Sequence, residues 1–222
     1  MKTIKVWHFA GKTLRDGTAL PDAGVRLPHI ADPIPCERGY HGSERLIDAL
    51  KYAPGSSLAV RLLSGTLKSH GNPVDKHFAS DCTMETGYID VSPVLIEFAR
   101  FAALKAIREY APKALRATGN PELITWADKL AAFKDDCDLK AARDAASDAA
   151  RDAARYAASD AARYASYASD AARYASYAAS YASDASDAAR YASYASYASY
   201  AASEEFNTWL ESRILPLFKG EK

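Results

Sequence analysis

The sequence predicts an α+β fold, in which a small N-terminal α+β domain precedes a predominantly α-helical, Ala-rich repeat region. Two observations lead to this prediction. All 10 prolines and 11 glycines lie within residues 1–121 or 216–222, so residues 122–215 contain no strong helix breaker. Inside that stretch, residues 141–202 use only five residue types, namely 28 Ala, 11 Ser, 10 Tyr, 7 Asp and 6 Arg. Helix is the regular structure that this composition favours.

The same contrast in composition divides the chain into four predicted segments. Residues 1–91 form a small α+β head domain, and residues 92–140 form a helical neck. The repeat tract covers residues 141–203. Residues 204–222 complete the chain as an amphipathic helix end and a tail.

Short periodic patterns predict the elements of the head. Ile4, Val6 and His8 alternate with their neighbours, as in a half-buried strand. Ser43 is the expected N-cap of a helix that ends at Pro54-Gly55. The remaining predictions are short strands near residues 25–27, 58–63 and 88–91 and a polar loop over residues 68–76.

Proline and polar caps predict the helices that follow. Ser92-Pro93 opens one helix, Pro112 interrupts it, and Asn120-Pro121 begins the next. Trp209 belongs to a final amphipathic helix that we expect to stop at Pro216.

The repeat tract consists of units that begin with Asp or Tyr, spaced on average by 3.5 residues between Asp144 and Tyr200. This is the period of a left-handed coiled coil, although runs of three and four residues interrupt it. Each unit places a small-residue face beside a Tyr, Asp, Arg and Ser face. We therefore expect closely packed helices, either one long helix, a fold-back, or a pairing between chains in a homo-oligomer. The predicted oligomerisation or binding residues are Tyr164, Ala165, Ala168, Tyr174, Ala175, Tyr181, Ala182 and Trp209.

Two other interpretations of the tract stay open. Tandem units of three and four residues are what replication slippage generates, so the tract is alternatively a tolerated spacer. A ladder of tyrosines also stacks nucleic-acid bases in some proteins, but that use normally comes with a basic groove. The tract carries six Arg against seven Asp, and the whole chain has 28 basic and 28 acidic residues. We therefore do not expect nucleic-acid binding.

Composition also bears on compartment and cofactors. Three widely spaced cysteines do not suggest a disulfide scaffold, and the first residues show no secretory leader. Since no apolar run reaches membrane-spanning length, we expect a cytoplasmic protein without membrane contact. Cys36 with His41, and His77 with Cys82, offer a mirrored spacing for zinc. Two buried thiols and two surface imidazoles are the competing interpretation, and we expect neither a metal nor a cofactor.

Several phrases resemble a family of uncharacterised phage and prophage proteins in which a small N-terminal domain precedes variable Ala-rich repeats. They are PCERGYHGSERLIDALKYAPGSSLAVRLLSG, TGYIDVSPVLIEFARFAALKAI and APKALRATGNPEL, which leads into AARDAASDAARDAARYAAS. The phrases fall within about residues 35–150. The resemblance implies a phage-encoded protein that acts inside a bacterial host cell, and it supplies no activity.

A second, shorter resemblance concerns the head. His41-Gly42-Ser43, after Gly39-Tyr40, looks like the His-Gly-Ser/Thr motif of ADP-ribosyltransferases, in which the histidine contacts a ribose of NAD. This likeness makes Tyr40, His41 and Ser43 the candidate catalytic residues. The resemblance implies a catalytic glutamate later in the chain, but no glutamate matches that motif. Glu85 is a candidate by position alone. The alternative is that the glycines shape a loop and Ser43 caps a helix.

Two functional hypotheses follow from the sequence. The first is a non-enzymatic phage accessory protein that self-associates and binds protein through its Ala-rich helices, with a host protein as a further partner, as in counter-defence. The second is a head domain that binds NAD or another nucleotide at an ADP-ribosyltransferase-like site.

Overall fold

The computed structural model describes residues 2–35, 37–133, 139–156, 158, 161–170 and 203–219. The fold is mixed α/β, with a curled antiparallel sheet near the N-terminus followed by helices. The chain divides into two compact units. The first unit combines Met1–Val94 with Asn207–Lys222, and the second is Leu95–Phe206.

The first unit is built on a five-stranded sheet in the order β1-β3-β4-β2, with β5 paired to β3 and all pairs antiparallel. The backbone groups of Trp7 and Ser43 exchange hydrogen bonds of 2.8 and 3.1 Å, so the end of β2 meets β1 and the sheet curls. The strands are β1 (Ile4–Ala10), β2 (Tyr40–Gly42), β3 (Ser57–His70), β4 (Lys76–Met84) and β5 (Ile89–Asp90).

Alternating apolar side chains explain why these segments pair as strands. Val6, Leu63, Ala79 and Cys82 come together from β1, β3 and β4 as a buried cluster. The pairing of β3 with β4 shifts register between Ser64 and Leu67, which bends the sheet at that point.

Three predictions for the head were wrong in detail. The polar loop expected over residues 68–76 is shorter, since β3 runs to His70 and β4 starts at Lys76, which leaves residues 71–75 as the turn. The strand near residues 25–27 is a single bridge between Arg26 and Thr83. Ser43 does not cap α1 (Leu46–Leu50): its backbone pairs with Trp7, and the N-cap residue is Arg45.

The second unit is helical. The predicted break at Pro112 is a π-helical turn, Ala106–Tyr110, that leads directly into the next helix. A wider turn suits this place because proline cannot donate the usual backbone hydrogen bond. Asn120 caps the helix that follows by accepting from the backbone of Glu122 at 2.9 Å. The helices are α2 (Ser92–Lys105), α3 (Ala111–Ala117), α4 (Pro121–Ala131) and α5 (Leu139–Arg155), and α2 starts within the first unit.

The described part of the repeat tract is helical in α5 and again over residues 161–170. One face of these helices consists of alanines three or four residues apart that are almost completely buried within the single chain. They are Ala142, Ala146, Ala149, Ala153, Ala161, Ala165 and Ala168. Whether the tract forms one long helix or a coiled coil lies outside the described residues.

The C-terminal helix, Ser203–Lys219, continues through Pro216, where we expected it to stop. Burial explains the extra turn: Ile214 is fully buried, and the ring of Phe218 packs edge-on against Trp7 with centroids 5.4 Å apart. Within the described part of the chain, no helix combines the length and the apolar character needed to cross a membrane.

Candidate functional site

A chain of three polar side chains, one buried and two half-buried, is the most unusual feature of the first unit. β3 carries Arg61 and β1 carries His8, while Tyr88 lies just before β5. Arg61 is only 3% exposed, and its Nη2 donates to the Tyr88 hydroxyl at 2.5 Å. The same hydroxyl lies 2.8 Å from Nδ1 of His8.

The electrostatic surroundings set the direction of these hydrogen bonds. Burial, helped by the positive charge of Arg61, holds the pKa of His8 well below its usual value. The imidazole is therefore neutral, and its Nδ1 accepts a hydrogen bond. Burial raises the pKa of Tyr88 despite the opposing effect of Arg61, so the phenol keeps its proton. Arg61 donates to Tyr88, and Tyr88 donates to His8.

Arg61 has no compensating negative charge among the described residues. Its Nε is buried and has no hydrogen-bond partner there, and its one hydrogen bond goes to a neutral phenol. The nearby thiol of Cys82 is also neutral, since burial raises its pKa to about 11. Removing a guanidinium from water without a paired anion costs several kcal/mol, which is the usual reason that buried arginines carry a carboxylate or a bound anion.

Of the three predicted catalytic residues, Tyr40 is partly buried against the apolar core beside this network and feels the charge of Arg61. It packs against the buried cluster of Val6, Leu63, Ala79 and Cys82 and donates its hydroxyl to the carbonyl oxygen of Pro28 at 2.5 Å. Burial raises the pKa of Tyr40, whereas the charge of Arg61 acts in the opposite direction.

His41 and Ser43 occupy different surroundings from Tyr40. The ring of His41 lies 6.2 Å from that of Phe78, its Nε2 is buried without a partner among the described residues, and burial lowers its pKa. Ser43 is 1% exposed and its hydroxyl likewise lacks a described partner. Because neighbouring residues of a strand point to opposite faces, Tyr40 and His41 do not face one pocket together.

The predicted oligomerisation residues are only partly described. Ala165 and Ala168 are fully buried within the chain, while Tyr164 is half-buried. Trp209 is half-buried with the Arg213 guanidinium 5.4 Å from its ring centre. The other four, Tyr174, Ala175, Tyr181 and Ala182, lie outside the described residues.

The structure does not assemble the mirrored zinc ligands where it describes them. Nε2 of His77 contacts a carboxylate oxygen of Glu44 at 2.7 Å, and Cys82 is buried in the apolar cluster. Among the described residues, no group of three metal-ligating side chains comes together. Cys36 lies outside them.

Comparison with protein-family models, with curated proteins and with solved structures gave no match for this chain. The site must therefore be interpreted from its own chemistry. Sequence reasoning missed Arg61, although one signal was available: Arg61 is the only charged residue in the apolar run 58–63. His8 was identified as part of a strand, but nothing in the sequence connects it to Tyr88.

Proposed function

We propose that the first unit binds a small ligand with an anionic group, of the phosphate-bearing nucleotide class, and that Arg61 provides the positive charge. At this site the first unit then acts as a binding module. One observation carries this proposal, namely the buried guanidinium without a described counter-charge. A bound anion would supply the missing pairing energy.

The chemistry around Arg61 suits a phosphate better than a metal or a cationic ligand. A guanidinium presents five N–H donors in a fixed fork, and only one is used here, on Tyr88. Neutral His8 leaves the local charge positive. The long connection between β1 and β2 runs alongside β4, held by backbone hydrogen bonds such as Leu27 N to the carbonyl oxygen of Cys82 at 2.9 Å.

The first experiment compares wild type with Arg61→Met by thermal unfolding, with and without NAD, ADP-ribose, ADP and inorganic phosphate. The variant removes a buried charge and keeps an apolar side chain of similar length, so the ligand-free protein should become more stable, by about 1–3 kcal/mol. The ligand-dependent rise in the midpoint should disappear. The proposal is wrong if none of these ligands stabilises the wild type.

A second proposal retains self-association, because residues beside the buried alanine face, in and just after the described helices of the tract, expose aromatic and charged side chains. Tyr156 is 46% exposed and Tyr167 is 37% exposed. Tyrosine and arginine are enriched in protein interfaces. In the phage setting that the resemblance implies, such a surface would bind a second copy or a host protein, as counter-defence proteins do.

Light scattering on the full chain tests this second proposal. A mass above 24.0 kDa that falls in the double variant Tyr156→Ser, Tyr167→Ser would support it. The control is Val25→Ser, which changes an equally exposed side chain, 41% exposed, of the first unit. A monomeric wild type over the whole concentration range would contradict it.

A further inference from the structure

Three side chains of the first unit form a second hydrogen-bonded chain that the ligand-binding proposal does not use. Oγ of Ser69 lies 3.0 Å from Nδ1 of His77, and Nε2 of His77 lies 2.7 Å from Oε1 of Glu44. The sheet explains the convergence. Ser69 and His77 are directly opposed in the β3–β4 pair, and Gly42, two residues before Glu44, is the partner of His77 in β2.

The order of donors and acceptors in this chain suits the activation of a hydroxyl. A carboxylate accepts hydrogen bonds, so Glu44 fixes the proton of His77 on Nε2. Nδ1 then carries a lone pair and accepts from the hydroxyl of Ser69. Hydroxyl, imidazole and carboxylate in this sequence are the parts of a nucleophile, its general base and the group that orients the base.

The chain adjoins an open groove of about 430 Å³. Glu44 and His77 belong to its lining, and the side chain of His77 is only 13% exposed, whereas that of Glu44 is 63% exposed. Ser69 lies on the exposed end of β3. The six residues that line the groove are Glu44, Arg45, Asp48, Val74, Asp75 and His77.

We propose that Ser69, His77 and Glu44 form a hydrolytic site for small carboxylic esters. Ser69 Oγ attacks the ester carbonyl carbon while its proton passes to Nδ1 of His77. The bond to the alkoxy group breaks, and that group leaves as an alcohol with this proton. Water then attacks the acyl-serine, again giving a proton to His77. The acid is released as the proton returns to Ser69. Glu44 is a positioning residue, because it touches only the imidazole.

The groove also indicates the class of ester. Three of its six lining residues are carboxylates and one is Arg45; Asp48 contacts both Lys51 at 2.8 Å and Arg45 at 3.8 Å, so Glu44 and Asp75 supply the remaining negative charge. Val74, 52% exposed, supplies an apolar surface. Neutral or cationic esters with a short acyl group therefore suit the groove better than anionic ones.

The test uses the full chain with p-nitrophenyl acetate as substrate and a fluorophosphonate as active-site label. We expect label on Ser69, located by mass spectrometry of peptides, and a loss of at least about 100-fold in kcat/KM for Ser69→Ala. The control is Ser64→Ala, another serine of β3, which should keep full activity. Labelling that misses Ser69, or equal rates for wild type and Ser69→Ala, would overturn the proposal.

Glu44→Gln and His77→Gln separate positioning from chemistry. Glu44→Gln should lower kcat by about 10-fold or more, because its carboxylate orients the base, and KM for the neutral substrate should change much less than kcat. His77→Gln should abolish labelling of Ser69. Since these side chains lie at the end of the hairpin, thermal unfolding should confirm a folded protein. An unaltered kcat in both variants would contradict the assignment. Neither result depends on Arg61 or on nucleotide binding.

Discussion

Gly65 fixes the bend in β3 through a backbone conformation that other residues rarely adopt. Its φ is +77°, and a Cβ at this position would lie 2.1 Å from Oδ2 of Asp81 and 2.2 Å from Oγ of Ser80. The hydrogen bond between Ser80 and Asp81, 2.7 Å long, occupies the space that a side chain would need. The register shift of the hairpin therefore depends on the missing side chain as well as on the dihedral angle.

Gly65→Ala should consequently destabilise the first unit more than the backbone strain alone explains. Gly17, with φ +83° and nothing within 4 Å of its would-be Cβ, is a matched control. We expect a loss of about 1–2 kcal/mol for Gly17→Ala and about 2–4 kcal/mol for Gly65→Ala, measured by urea unfolding. Equal losses would show that the contacts with Asp81 and Ser80 add nothing.

The lowered pKa of His8 predicts how the stability of the protein depends on pH. The pKa of His8 is lowered in the folded state, so below its unfolded value of about 6.5 the unfolded chain binds the proton first. Neutral His8 makes its full contribution to the free energy of unfolding above that pH. The contribution falls as the solution becomes more acidic, by up to about 1.4 kcal/mol per pH unit. Burial lowers the pKa of His41 as well, so His41 also makes the protein less stable as the pH falls.

His8→Asn should flatten this acid dependence, because an amide offers Tyr88 a hydrogen-bond acceptor that does not titrate. The measurement is the free energy of unfolding between pH 8 and pH 5, about the range over which histidine titrates. The same slope in His8→Asn and wild type would refute the argument.

At the level of elements, regularly spaced alanines give α5 one buried face. Each alanine buries little area, but the spacing of three and four residues places Ala142, Ala146, Ala149 and Ala153 on one fully buried face of α5. The opposite flank makes polar contacts, among them Trp126 Nε1 of α4 with Asp152 at 2.8 Å. Close packing, not side-chain size, is what the small residues provide.

Two neighbouring alanines of α5 test this packing. Ala153 is fully buried and Ala154 is exposed, so glutamate at the two positions differs only in the face it occupies. Ala153→Glu should cost about 3 kcal/mol or more, since a charged side chain enters a close-packed interface. Ala154→Glu should be nearly neutral. Chemical unfolding followed by far-UV circular dichroism measures both, and similar losses would mean that α5 has no specific buried face.

The elements differ in how far the sequence predicts them, for physical reasons. β1, α2 and α4 have clear periodicity or capping residues, and all three form near the expected bounds. β4 was not predicted: the expected loop over residues 68–76 reaches only its first residue, Lys76, and pairing with β2 and β3 is what makes this segment a strand. The site residues depend on such pairings even more strongly. Arg61, Tyr88 and His8 are far apart in sequence, and no local pattern reports their contact.

At the scale of the whole molecule, the two ends of the chain fold together in the first unit. Oδ1 of Asn207 accepts a hydrogen bond of 3.2 Å from the backbone of Ile47, in the first turn of α1. Phe218 packs against Trp7 of β1. A fragment that ends before the C-terminal helix therefore lacks part of the head itself, so such a fragment is not a neutral test of what the repeat tract does.

Removing residues 207–222 should lower the unfolding midpoint of the first unit because α1 loses a cap and Trp7 loses its aromatic neighbour. Point variants separate the stability lost with the Asn207 hydrogen bond from that lost with the Phe218 ring. Asn207→Ala should cost about 1 kcal/mol, because the backbone N–H of Ile47 loses its acceptor. Phe218→Ala should destabilise more than Leu217→Ala, whose side chain is 43% exposed on the same helix. If the truncated chain unfolds at the same denaturant concentration as the full chain, the C-terminal helix contributes nothing to the stability of the sheet.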